Sequence, residues 1–169
     1  MATKRKTLYR VTLLAVLLSV ALILGFIESF FNIAPGVPGI KLGLSNVVLL
    51  FALYALSIPD AALLMVMKVL LSGFLFGSPM TISYGLAGGA LSLAGMLLMK
   101  KVPGVSILGV SVIGAVLHNT GQILLNVIIV QNTLLLGYLP VLVIVGLATG
   151  LLTGIAAQLV LKHMKFLKK

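Results

Sequence analysis

Cysteine is absent from the 169 residues, which removes disulfides, thiolate catalysis and Cys-based metal sites together and leaves the redox compartment unreadable. Charge is scarce as well: 8% of the residues are charged, against about 25% in an ordinary soluble domain. Acids are scarcest, with Glu28 and Asp60 the full set against 12 Lys and Arg. Two histidines alone do not make a metal site, so none is expected, and no motif calls for a cofactor. A glycine loop of the Walker type is missing, so any ATP hydrolysis belongs to another protein.

What the chain has instead is apolar surface, at 61% hydrophobic residues, and water is the wrong solvent for most of it. A hydrocarbon core about 30 Å thick takes about 20 helical residues per crossing. The chain therefore has room for six crossings with short connections and no separate soluble domain, and it does not read as a soluble enzyme. The formal charge of +10 does not point to nucleic acid, because the basic residues sit at the ends of apolar runs rather than over a polar face.

The first run, 8–31, follows Lys4, Arg5, Lys6 and Arg10 in the manner of a signal peptide, but its length favours a retained helix. Pro35, Gly36, Pro38 and Gly39 then enforce a loop over 32–39. The next helices are expected at 40–56, 60–76, 80–99, 105–130 and 138–161. Ser57, Pro59 and Asp60 are placed to start the third, with Asp60 expected as its N-cap. Gly77 and Pro79 separate the third from the fourth, and no internal repeat is visible.

Orientation follows from Lys and Arg, because basic loops stay in the cytoplasm during insertion. With six spans, ten of the positive residues fall on the side of the termini and only Lys41 on the other; the twelfth, Lys68, is within a span. The expected architecture is thus an all-α integral membrane bundle of six transmembrane helices, one transmembrane domain over 1–169 in the cytoplasmic membrane, with both termini cytoplasmic. Lipid supplies no hydrophobic drive between helices, so small residues are expected at their contacts: Gly73 and Gly77, Gly85 and Gly89, and Gly146, Gly150 and Gly154. Ala15 and Ser19 form a similar pair on the first helix, where packing within the bundle and a face for a partner membrane subunit are alternative readings.

Polar residues inside the spans are the candidates for function. A lysine at mid-membrane costs at least about 2.5 kcal/mol and turns toward a cavity or partner. Lys68 lies about eight residues from either end of its helix. It reads either as counter-charge to an anionic or carbonyl-bearing ligand, or as structural partner to a helix carbonyl or to Glu28. His118, Gln122 and Asn126 follow at i, i+4 and i+8 with Asn119 on their flank, the wall of a polar pocket open to the outside unless they only join helices by hydrogen bonds. Glu28, near the outer end of the first helix, either binds a ligand cation, clamps the loop through Lys41, or lies among the headgroups. Ser83 and Tyr84 are near enough in depth to Asn126 to share its site, although an exposed interfacial tyrosine is common.

The stretch Glu28-Ser29-Phe30-Phe31, then Pro35-Gly36-Val37-Pro38-Gly39-Ile40-Lys41-Leu42-Gly43-Leu44-Ser45-Asn46, resembles a bacterial membrane family known as heptaprenyl diphosphate synthase component I, or Gx transporters. Ser83-Tyr84-Gly85-Leu86-Ala87-Gly88-Gly89 and His118-Asn119-Thr120-Gly121-Gln122 carry the resemblance further. That family is similar to the substrate-binding S components of energy-coupling factor (ECF) importers. The resemblance implies a small-molecule ligand held near the outer face under the first loop, and a transmembrane coupling subunit with ATPases as partners. It adds Lys41 and Asn46 to the pocket candidates Glu28, Lys68, His118, Asn119, Gln122 and Asn126, and makes Ala15 and Ser19 a docking patch, with Ser where the usual Ala-x-x-x-Ala pattern has its second Ala. The enzyme in the family's name holds Mg²⁺ and diphosphate with clustered carboxylates, since hard cations need several carboxylate oxygens. Glu28 and Asp60 alone, expected at opposite sides of the membrane, cannot do this, so an accessory role in isoprenoid or quinone synthesis would leave catalysis to a soluble partner.

Overall fold

The computed structural model describes residues 2–31, 41 and 43–167, with side chains over 7–31, 41 and 43–163; the loop expected at 32–39 lies outside the described residues. Among the described residues, six α-helices and one short 3₁₀ helix follow one another: α1 (Ala2–Glu28), α2 (Asn46–Ala55), α3 (Ile58–Phe76), α4 (Pro79–Lys100), α5 (Ile107–Val130), the 3₁₀ helix Thr133–Tyr138, and α6 (Leu139–Leu167). Among the described residues, five helical segments are long and apolar enough to cross a membrane, and α2 is the exception. The protein is an all-helical membrane bundle.

Serine caps start the helices where proline and polar residues had marked them. Ser57, Ser78 and Ser106 each accept a backbone N–H three residues on, at the starts of α3, α4 and α5. The N-cap of α3 is therefore Ser57 rather than Asp60. Asp60 sits at the third helical position, returns a bond to the Ser57 backbone N–H in a capping box, and pairs with Arg10 of α1 at 2.5 Å. That ion pair ties the beginning of α1 to the beginning of α3, so both helices start at the same end of the bundle. Residues 29–57 must then carry the chain back from one end to the other.

That return is where the sequence expectation departs from the structure. A helix over 40–56 was expected, and the helical part is only Asn46–Ala55. Ten residues rise about 15 Å, half of the hydrocarbon thickness. Gly43 stops the helix from extending backward: its φ of +83° belongs to the left-handed region, and a Cβ there would lie 2.9 Å from Asn46 Nδ2. The start of α2 consequently lies inside the bundle, at the level of Lys68, eleventh of the nineteen residues of α3. Irregular backbone at such depth is tolerated only where protein covers it or a cavity adjoins it, and Gly43, Ser45 and Asn46 are all buried.

A helix apolar all round belongs in the interior, and α2 occupies it. Val48, Leu49, Leu50, Ala52 and Leu53 are buried against Ala21 of α1, Leu64, Met65 and Val69 of α3, Leu93 and Met96 of α4, Val110 of α5 and Ala157 of α6. Its two ends carry opposite charges in the sense that suits a helix dipole. Glu28 accepts from the Leu44 N–H at the amino-terminal turn, and Lys100 donates to the Leu53 carbonyl at 2.6 Å near the other end, with its ammonium 4.7 Å from the centre of the Tyr54 ring.

Around this core α3, α4, α5 and α6 run antiparallel in sequence, joined where side chains vanish. Gly85 faces Val69 and Gly89 faces Met65 between α4 and α3; Gly146, Gly150 and Gly154 approach Val116, Val112 and Ser111 between α6 and α5. A Cβ on Gly150 would come within 2.6 Å of the Val112 backbone, so the small-residue stripe on α6 is an internal contact. A hydroxyl bond between Ser111 and Thr153, 2.9 Å, spans the same seam.

Candidate functional site

The polar interior gathers where α2 begins. Glu28 comes from the last turn of α1, and because helical side chains lean toward their own amino terminus its carboxylate reaches back into the bundle. There it is 1% exposed, accepting from the Leu44 N–H and, at 3.2 Å, from the Ser45 hydroxyl. The headgroup placement weighed from the sequence is thus replaced by a buried clamp on the turn into α2. Lys68, 7% exposed, donates to Asn46 Oδ1 at 2.8 Å. Glu28 and Lys68 feel each other's charge without touching, since Arg10 with Asp60 is the only ion pair among the described residues.

α5 supplies the opposite wall. Gln122 Nε2 lies 3.2 Å from His118 Nε2, and with the amide so oriented Gln122 donates and the imidazole nitrogen accepts. The other end of the Gln122 amide accepts the Lys41 backbone N–H at 3.4 Å. Lys41 extends its ammonium over the Phe76 ring, 5.9 Å from the centroid. Burial lowers the Lys41 pKa from its ordinary value, and the Glu28 charge acts in the opposite direction.

Glu28, Lys41, Lys68, His118 and Gln122 line one hollow of about 30 Å³, together with Gly25, Ser45, Ser72, Thr81 and Gly85. On this scale one water needs about 10–15 Å³, so the described conformation has room for about two. A larger solute requires the hollow to widen.

Four of the residues singled out in the sequence do not line this hollow, and one of them, Asn46, lies behind Lys68 with its Oδ1 taken by that ammonium. Ser83 donates to the Pro79 carbonyl of its own helix at 3.2 Å. Asn119 turns to α6 and donates to the Leu142 carbonyl at 2.9 Å. Asn126 is buried but absent from the lining, with its Nδ2 unpartnered among the described residues. Helical geometry accounts for both amides: about 100° per residue puts Asn119 a quarter-turn from His118, and at i+8 the stripe has drifted by about 80° and climbed about 12 Å. Tyr84, weighed as an exposed interfacial ring, is 1% exposed. Ala15 and Ser19 lie on an exposed face of α1, where the serine hydroxyl bonds the Ala15 carbonyl.

Some contributors carried a signal that sequence reasoning passed over. Ser45 and Asn46, two and three residues after Gly43, carry the composition of a helix start at 46, although the Ser45 hydroxyl goes to Glu28 and caps nothing. Gly25 and Ser72, which face each other across α1 and α3, and Thr81 had none.

A multi-pass membrane bundle with a charged hollow in its interior is the class that these observations define. The family model described as Heptaprenyl diphosphate synthase component I matches residues 17–160, and the chain belongs to that family. No curated protein and no solved structure matches the chain.

Proposed function

We propose that the protein is a non-catalytic membrane subunit that binds a small solute in the hollow between α1, α3, α4 and α5, in the manner of an importer's substrate-binding component. The observation that carries this reading is Lys68, an ammonium at mid-helix, 7% exposed, facing a hollow shared with Glu28, Lys41, His118 and Gln122. Charges at such depth are expensive and mark ligand or ion paths rather than packing. Basic residues at the end of the bundle that holds Arg10 and Lys100 support cytoplasmic termini in the cell membrane, with the hollow toward the outer side.

The first test is Lys68→Met in the purified full-length chain. Native mass spectrometry should show a co-purified small molecule on the parent protein, and the variant should lose affinity for it by at least about tenfold. Unchanged binding by a folded variant would make Lys68 structural. A coupling subunit that supplies energy belongs to the same reading and would dock on the exposed Ala15 and Ser19 face of α1. Leu at both positions should abolish co-purification with that subunit, and undisturbed co-purification removes the docking face.

A second reading is favoured by the family's name: a membrane component of heptaprenyl diphosphate synthase, in which a separate subunit does the chemistry. Among the described residues no three His, Asp or Glu side chains come together to hold a metal, and the whole chain has two acids. Recovery of a prenyl diphosphate or a quinone as the co-purified molecule would favour this second reading over a water-soluble solute.

A further inference from the structure

We propose that the amino-terminal turn of α2 is a seat for an anionic oxygen group of the solute, a carboxylate or phosphate, and that the Glu28 carboxylate fills this seat in the described conformation. The inference deepens the solute-binding reading and rests on it. The Asn46, Val47 and Val48 N–H groups already bond the Gly43, Leu44 and Ser45 carbonyls, so what this helix start offers an anion is the positive end of its dipole, inside the bundle, and the Leu44 N–H just ahead of it. The Leu44 N–H and the Ser45 hydroxyl already hold the two oxygens of a carboxylate.

A second observation, separate from the helix end, also calls for an acceptor. Asn46 is 5% exposed, its Oδ1 is taken by Lys68, and its Nδ2 has no partner among the described residues. That orphan donor lies beside the turn, where a Cβ on Gly43 would come within 2.9 Å of it. Buried donors without acceptors are rare, and an incoming oxygen would satisfy this one. The charges agree. Two ammonium groups, Lys41 and Lys68, face the hollow against one carboxylate, a surplus of one positive charge that favours an arriving anion and that a monoanion such as a carboxylate cancels.

Glu28 then acts as a tethered competitor for the ligand. With Gln at 28, an amide oxygen can still accept from Leu44, but the charge that competes with the ligand is gone. This separates the seat from a cation-binding role for Glu28, which would predict the opposite change.

The test uses the full-length chain in lipid nanodiscs, with thermal unfolding followed by circular dichroism. The probes are inorganic phosphate, pyrophosphate and acetate as free anions, a short prenyl diphosphate as a lipid-borne anion, and choline and glucose as cationic and neutral controls. At least one anion should raise the unfolding temperature, with its affinity reduced about tenfold in Lys68→Met and in Asn46→Leu and raised about tenfold in Glu28→Gln. Response to free anions assigns the seat to a soluble solute; response to the prenyl diphosphate alone assigns it to a lipid headgroup. Should Glu28→Gln not fold, the Lys68 and Asn46 variants decide without it. If choline or glucose stabilises the protein in a Lys68-dependent way while no anion does, the seat is overturned and solute binding stands. Should no probe stabilise it in a Lys68-dependent way, the seat falls, and the solute-binding reading falls too if no co-purified molecule depends on Lys68.

Discussion

Replacing Glu28 with Leu is expected to destabilise the bundle by about 3 kcal/mol, read as a loss of unfolding free energy in detergent or nanodiscs. Three costs combine. The Leu44 N–H and the Ser45 hydroxyl lose their acceptor, the Lys68 ammonium loses the nearby opposite charge, and α2 loses the anion at its amino end. The double variant with Lys68→Met should recover part of the loss, because the uncompensated cation goes with it. A double variant as unstable as the sum of the single ones would mean that the two charges act independently. An effect below about 0.5 kcal/mol for Glu28→Leu would mean that the clamp on α2 is not made.

A comparable loss is expected from Gly121→Leu, for a different reason. A Cβ at 121 would lie 2.8 Å from the Ala87 carbonyl oxygen and 2.9 Å from the Gly88 Cα. Both atoms are backbone of α4, so no side chain can rotate away and the two helices must separate. Overpacking costs about 1–3 kcal/mol where neighbours can yield, and here the upper end or beyond is expected. Gel filtration should show loss of the monodisperse species. Gly137→Leu serves as the control, since a Cβ there meets nothing within 4 Å, and it should leave the profile unchanged. If the two variants behave alike, the tight α4 to α5 crossing is not a feature of the folded protein.

The long helices were legible because their signals are local: apolar runs of spanning length, with serine and proline at the starts of α3 and α4. The contacts of Gly85, Gly89, Gly146 and Gly150 were legible for the same reason, as four-residue spacing on one helix face. The length of α2 was hidden by its composition. Hydropathy runs on from Ile40 to Leu56, and a single residue, Gly43 with its positive φ, decides where the helix begins. Lys68, His118 and Gln122 were found by depth and spacing, and they line one hollow. What spacing could not tell was which neighbour each direction meets, the Leu142 carbonyl of α6 for Asn119 and the Pro79 carbonyl of its own helix for Ser83. Arg10 with Asp60, and Lys100 with the end of α2, needed the tertiary arrangement to be seen.

The glycine seams divide the molecule mechanically. Along α4, α5 and α6, backbone lies against backbone at Gly88, Gly121, Gly146 and Gly150, which leaves these three helices little freedom to slide or tilt. The opposite wall is looser, with Gly25 of α1 meeting only the Ser72 Cβ at 3.9 Å. On the solute-binding reading, admitting anything much larger than two waters is expected to move α1 about its Arg10 anchor rather than the three-helix slab; spin labels on α1 and α5 should then change their separation when a solute binds, and an unchanged separation would overturn the hinge.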